Sequence, residues 1–171
     1  ARWWAARRGT FINESDKVRT GTTGRANLLT DKAHRLQVHP KSTVQPTSLK
    51  GGEVHLGVVA GRVRAWVKKL SATEKFSMNT PTMVCAVRGT DFAVEVGEGS
   101  SRLEVYEGEV LAKELTTGAE VSVHPGQFTV VQPNAPPTPP APLPAGPPKT
   151  EAPAEKVKDE VKTAAEREMF Q

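Results

Sequence analysis

The sequence predicts an all-β fold, a twisted, solenoid-like sandwich of short strands, over residues 1–132. Apolar and polar residues alternate with period two in run after run. Glycine-bearing turn signals separate those runs about every ten residues. Helical spacing is not sustained anywhere in this region.

Taken in order, each run presents one wet and one buried face. Leu36 and Val38 alternate with Arg35, Gln37 and His39. Val54, Leu56 and Val58 form a second run. Val63, Ala65 and Val67 form a third, on the far side of a turn signal at Ala60-Gly61. Phe76 and Met78 follow, then Phe92, Val94 and Val96, then Leu103 and Val105. Phe128 and Val130, alternating with Gln127 and Thr129, close the series. Further turn signals stand at Gly21–Gly24, Gly51-Gly52, Arg88-Gly89, Gly97–Ser100, Glu107-Gly108, Thr117-Gly118 and Pro125-Gly126. The early prolines, Pro40, Pro46, Pro81 and Pro125, sit between or at the edges of runs, where a missing N–H costs least.

Composition shifts at residue 132. Of 14 prolines in 171 residues, ten fall between Pro133 and Pro153. Residues 133–151 read as an extended polyproline II linker of roughly 3 Å per residue, unable to join a sheet. Residues 152–171 read as one short helix with a narrow apolar stripe of Val157, Val161, Ala164, Ala165 and Met169. Such a helix is marginal without a partner. The organisation is therefore a β domain (1–132), a linker (133–151) and a helix (152–171).

Charge is uneven. Residues 1–75 carry 15 Lys/Arg against 5 Asp/Glu, and residues 76–132 carry 3 against 8. A basic first half suits an anionic partner. The acidic second half and the lack of a recognisable module argue against nucleic acid. No apolar run is long enough for a transmembrane helix. A chain beginning at Ala1 reads as processed or as a piece of a longer one. A single cysteine, Cys85, excludes an internal disulfide.

Catalytic and metal signatures are missing. His34, His39, His55 and His124 have no ligand spacing to one another, to Cys85 or to a carboxylate, and read as surface residues. Cys85, within Met83–Val87, reads as a small buried hydrophobe. No nucleophile elbow, P-loop or dinucleotide fingerprint occurs. No enzyme, cofactor or metal is expected.

Three segments share a further pattern. They are Glu14 to Leu28, with Val18-Arg19-Thr20-Gly21 and Gly24-Arg25-Ala26; Asn79 to Val94, with Thr80-Pro81 and Val87-Arg88-Gly89-Thr90-Asp91-Phe92; and Leu103 to Val110, with Gly108, followed by Val121 to Phe128, with Gly126-Gln127. Together they resemble the FecR domain family of bacterial envelope proteins over about residues 3–131. Thr80 to Val94 is the most specific part. Gly21, Gly24, Thr80, Pro81, Gly89, Thr90, Phe92, Gly108 and Gly126 are read as fold-defining. Gly89 would allow a bend, Thr90 would bond nearby backbone there, and Gly108 would sit in a hairpin between Val105 and Val110.

The resemblance implies a β module of the periplasm or cell exterior that binds other proteins. The family's sigma regulators also carry a sigma-factor-binding segment and a transmembrane helix, which this sequence lacks. The main expectation is thus a non-enzymatic adaptor in a large envelope assembly. It would dock through Arg64, Trp66 and Lys68, and grip a neighbour through the proline arm and the Val157/Val161/Met169 stripe. Trp3 and Trp4, adjacent in a strand, would face opposite ways. The alternatives are a glycan-binding module using Trp66, and a periplasmic signalling module regulating a sigma factor.

Overall fold

The computed structural model describes residues 3–145; the expected helix over 152–171 and its stripe residues Val157, Val161 and Met169 lie outside them. The fold is all-β, with no helix among the described residues. Its strands are β1 (Val18–Arg19), β2 (Ala26–Leu29), β3 (Arg35–Val38), β4 (Thr43–Ser48), β5 (Glu53–Trp66), β6 (Lys75–Asn79), β7 (Met83–Val87), β8 (Asp91–Gly97), β9 (Ser100–Glu107), β10 (Val110–Glu114), β11 (Glu120–Val123), β12 (Gln127–Val131) and β13 (Ala141–Pro142).

These strands form one strongly curled open sheet, a half-barrel whose two leaves face each other. Leaf I runs β1-β4-β5-β6-β7-β10-β11. Leaf II runs β2-β3-β5-β8-β9-β12-β13. The inward residues of both leaves make a single core, in which Phe76 of leaf I meets Phe92 of leaf II edge to face, 6.5 Å between ring centres. Cys85 is fully buried there, and burial pushes its thiol up to about 12.

β5 belongs to both leaves. The turn expected at Ala60-Gly61 is instead a bend inside one continuous 14-residue strand. Residues 53–60 pair within leaf I and residues 61–66 within leaf II. The buried phase changes at the bend, from Val54, Leu56 and Val58 to Val63, Ala65 and Val67. Gly61 has φ +81°, and a Cβ there would lie 2.6 Å from Ser42 Cα and 2.7 Å from the Lys41 carbonyl. The β3–β4 connection crosses between leaves at the same point. Ser42, fully buried, accepts the Arg62 N–H at 2.9 Å, and Thr20 Oγ1 donates to the His39 carbonyl at 2.6 Å while accepting the Ser42 N–H at 3.0 Å.

A second corner joins the β7–β8 and β9–β10 connections. Gly89 has φ +124°, and its Cβ would lie 2.8 Å from Lys69 Cα. Gly108 has φ +77°, and its Cβ would lie 2.6 Å from Thr90 Cγ2 and 2.7 Å from the Gly89 carbonyl. Gly108 is therefore not in a hairpin: β9 and β10 lie in opposite leaves and do not pair. The buried Thr90 hydroxyl has no hydrogen-bond partner among the described residues. Its backbone N–H and C=O exchange bonds with Val67 at 3.1 and 2.8 Å instead. By contrast, among the described residues a Cβ at Gly21 or Gly126 meets nothing within 4 Å, and one at Gly24 makes only an ordinary contact. Gly126 still holds φ +79°.

Buried hydroxyls tie the leaves together between the corners. Thr82 Oγ1 donates to Ser101 Oγ at 2.8 Å, and Ser101 donates to Thr80 Oγ1 at 2.8 Å, which also accepts the Met83 N–H at 3.0 Å. Pro81 is exposed beside them, in the β6–β7 turn.

Two further expectations are corrected. The register on β9 turns Thr129 and Val131 inward, so Phe128 and Val130 face outward. Trp3 and Trp4 lie ahead of β1 outside any strand, both exposed, with the Arg19 guanidinium 4.4 Å from the Trp3 ring centre.

Gly61→Ala should destabilise the domain by about 2–4 kcal/mol, from the positive φ and the backbone collision together. Gly21→Ala should stay within about 0.5 kcal/mol. Urea unfolding of both variants checks this, and similar midpoints would contradict the corner assignment.

Candidate functional site

The outer face of leaf II gathers the polar positions of β5, β8 and β9, with Phe128 and Val130 of β12 beside them. Alternation aims Arg62, Arg64 and Trp66 outward from β5, and Asp91 and Glu95 outward from β8. From β9 it aims Arg102, Glu104 and Tyr106. Pairing then sets Arg62 opposite Glu95, Glu95 opposite Arg102, and Glu104 opposite Phe128.

These side chains form one ladder of arginines, carboxylates and rings. Arg62 donates to Glu104 at 2.6 Å, to Tyr106 Oη at 2.9 Å and to Glu95 at 3.1 Å. Tyr106 donates to Glu104 at 2.6 Å, and Arg102 Nε donates to the other Glu104 oxygen at 2.8 Å. Arg64 grips both oxygens of Asp91 at 2.9 and 2.8 Å. The Arg64 guanidinium lies 4.2 Å from the Tyr106 ring centre and 4.8 Å from that of Trp66. The Arg102 guanidinium lies 3.8 Å from the Phe128 ring centre.

Burial opposes ionisation of Glu104, but the hydrogen bonds from Arg62 and Tyr106, with the Arg62 charge and Arg102, hold its carboxyl at about 2. Arg62 is likewise desolvated, and Glu104 more than offsets this, raising its pKa. Burial and the bond to Glu104 raise Tyr106.

The three residues expected to form a basic docking stripe are distributed differently. Arg64 is only 6% exposed and is neutralised by Asp91, so it is not a surface cation. Trp66 is half-buried beside it. Lys68 lies beyond the end of β5, exposed, and its backbone N–H donates to His34 Nδ1 at 3.2 Å. Nor are all the histidines at the surface. His34 is buried edge-on against Phe76, 5.5 Å between ring centres, and burial lowers its pKa. His39 is half-buried with its pKa lowered by desolvation and by the Arg62, Arg25 and Arg64 charges.

Sequence reasoning missed Arg62, Asp91, Glu95, Arg102, Glu104, Tyr106 and Phe128 as members of one site. Alternation had already turned most of them outward. What it lacked was the strand order that stacks them.

Two shallow grooves flank the ladder. One, of about 450 Å³, is lined by Glu95, Gly97, Ser100, Arg102, Glu104 and Val130. The other, of about 150 Å³, is lined by Trp66, Val67, Lys69, Gly89, Thr90, Asp91 and Glu107. Among the described residues no three His, Cys, Asp or Glu side chains converge as metal ligands. A carboxylate held ionised between two arginines is a poor proton donor near neutral pH. A flat array of arginines and rings is instead the composition enriched at protein interfaces.

The expected arm is also changed. Residues 133–143 do not project. Asn134 N–H donates to Glu114 at 3.1 Å, Thr138 N–H donates to the Val130 carbonyl at 2.9 Å, β13 pairs with β12, and Leu143 N–H donates to the Gly126 carbonyl at 2.7 Å. A proline-rich stretch does therefore join the sheet, as an edge strap. Glu114 receives N–H bonds from Thr117, Thr116 and Asn134 and the Thr117 hydroxyl, which outweigh its burial and hold it at about 2.

Above about 4.5, Glu104 is ionised in both folded and unfolded chains. As pH falls toward about 2, only the unfolded chain takes up the proton, so its contribution to stability is lost over that window. Glu104→Gln should be less stable than the wild type at pH 7, with the gap closing toward pH 2. Urea midpoints across that range test it; a constant gap would refute the assignment.

The sequence profile of the FecR protein family matches residues 16–111. No curated protein matches the chain. Two crystal structures of a protein from Parabacteroides distasonis described as an anti-sigma factor, at 2.50 and 1.65 Å resolution, superpose with TM-scores of 0.61 at 12% identity. The superposition covers 70% of this chain and 55% and 56% of those chains, so the likeness is one of fold and spans little more than half their length.

Proposed function

The chain belongs to the FecR protein family, and from that premise we propose that it is a non-enzymatic signalling module of the bacterial periplasm, which recognises another protein and thereby regulates a sigma factor. The observation that carries this reading is the FecR match over residues 16–111, supported by a fold shared with structures described as anti-sigma factors. The outer face of leaf II, with Trp66, Tyr106 and Phe128 held between paired arginines, is the recognition surface. Lys68 and the Trp66 groove mark its open end. Its charges are matched internally, so partner choice rests on ring contacts and on the geometry of the arginines more than on net attraction. The purely structural adaptor becomes the weaker reading, because the first part of its arm lies on the domain itself.

Deleting residues 16–111 in the native gene should shift the transcripts of one sigma-factor regulon, read by RNA sequencing. Trp66→Ala should reproduce the shift while the purified protein keeps its strand circular dichroism. No regulon-wide change with either allele would defeat the signalling reading. A change with the deletion alone would move the recognition surface elsewhere.

A further inference from the structure

The strap over β12 has an unusual composition for a paired edge. Of residues 133–143, six are proline and have no N–H to donate: Pro133, Pro136, Pro137, Pro139, Pro140 and Pro142. Donors from Thr138 and Leu143 reach the β12 edge at the Val130 and Gly126 carbonyls. The Val130 N–H is met by a side-chain hydroxyl, Thr138 Oγ1, at 2.9 Å rather than by a strand carbonyl. Thr129 Oγ1, from a fully buried residue, reaches out to the Thr138 carbonyl at 2.7 Å. The regular pairing is two residues long, Gln127 with Pro142 and Phe128 with Ala141. The strap thus covers the β12 edge with only two regularly paired residues and, at the Val130 N–H, a side-chain acceptor, where a fuller strand would pair along the whole of β12. An uncovered edge of this kind is a template for another strand.

We propose that the β12 edge is a strand-addition site, and that the chain's own proline-rich strap is its resident, displaceable occupant. The partner it fits is an extended protein segment, without proline over about five residues, that pairs antiparallel with Gln127–Val131. Its backbone takes over the Gly126 and Val130 carbonyls from the strap's Leu143 and Thr138 donors, and a strand carbonyl replaces the Thr138 hydroxyl as acceptor of the Val130 N–H. The side chains it turns outward lie next to Phe128, where the arginine–ring ladder ends. Glu114 holds the strap at Asn134, outside the paired segment, so the strap can leave β12 while its entry stays anchored. This inference concerns an edge and not the outer face, and stands or falls apart from the signalling reading.

The test uses the full chain and a labelled peptide of sequence 134–144 with every proline replaced by threonine. Thr138→Val with Leu143→Pro removes the Thr138 hydroxyl and the Leu143 donor. Thr129→Cys with Thr138→Cys places two thiols where hydroxyl oxygens stand 3.2 Å apart, so oxidation locks the strap. Fluorescence anisotropy should show the peptide binding the loosened variant at least ten-fold more tightly than the wild type. It should show no binding to the oxidised double-cysteine chain, and binding restored on reduction. Equal binding to the oxidised and reduced forms would overturn the proposal. So would a loosened chain that ignores the peptide, including one that self-associates instead, since the strap would then be an edge guard only.

Discussion

Two corners, where one backbone crosses another with no room for a side chain, set the shape of this protein. At the first, β5 passes from leaf I to leaf II against Ser42. At the second, the chain leaves β7 and returns through Gly108 against Gly89 and Thr90. Each crossing brings connections distant in sequence within backbone contact, and each is made by glycine at positive φ. The consequence reaches well beyond the corners. A crossing strand turns its pleat as it changes leaf, so the residues that face the core change parity. The core of leaf II, from Val63 through Phe92 to Val105, is in register with that of leaf I only because the corners fix where the change occurs.

The same geometry produces the outer ladder. Once β5, β8 and β9 lie side by side, outward charges of both signs are brought together, directly opposite for Arg62 and Glu95, diagonally for Arg64 and Asp91, and along one strand for Arg102 and Glu104. Arg62, Arg64 and Arg102 meet Glu95, Asp91 and Glu104. Desolvation of these groups is offset by bidentate and shared hydrogen bonds, which is why Glu104 stays ionised although nearly covered. Groups so tightly matched have little freedom to move protons, and present rigid planar surfaces instead. Such an array suits the recognition role proposed for this face.

Much of the strand content was legible from alternation, yet several assignments failed for identifiable reasons. The Ala60-Gly61 signal is a true kink, but glycine in a strand can bend a continuous ladder as well as end it. Gly108 between two apolar runs looked like a hairpin tip, because a crossover and a hairpin present the same local residues. Phe128 and Val130 were assigned inward because they are apolar, while the register set by β9 buries Thr129, whose hydroxyl is satisfied by the strap. The strap escaped notice because proline opposes pairing. Thr138 makes the bonds there, its backbone N–H donating to the Val130 carbonyl and its hydroxyl accepting the Val130 N–H.

The amino-acid order by itself determined the β class, the inward positions of most strands and the family, because a pleat of period two is written in neighbouring residues. Strand order, the exchange between leaves, the burial of Arg64 and the docking of residues 133–143 were decided only by the tertiary structure. Each depends on pairings between segments far apart in the chain, and on space that one backbone leaves, or fails to leave, for another.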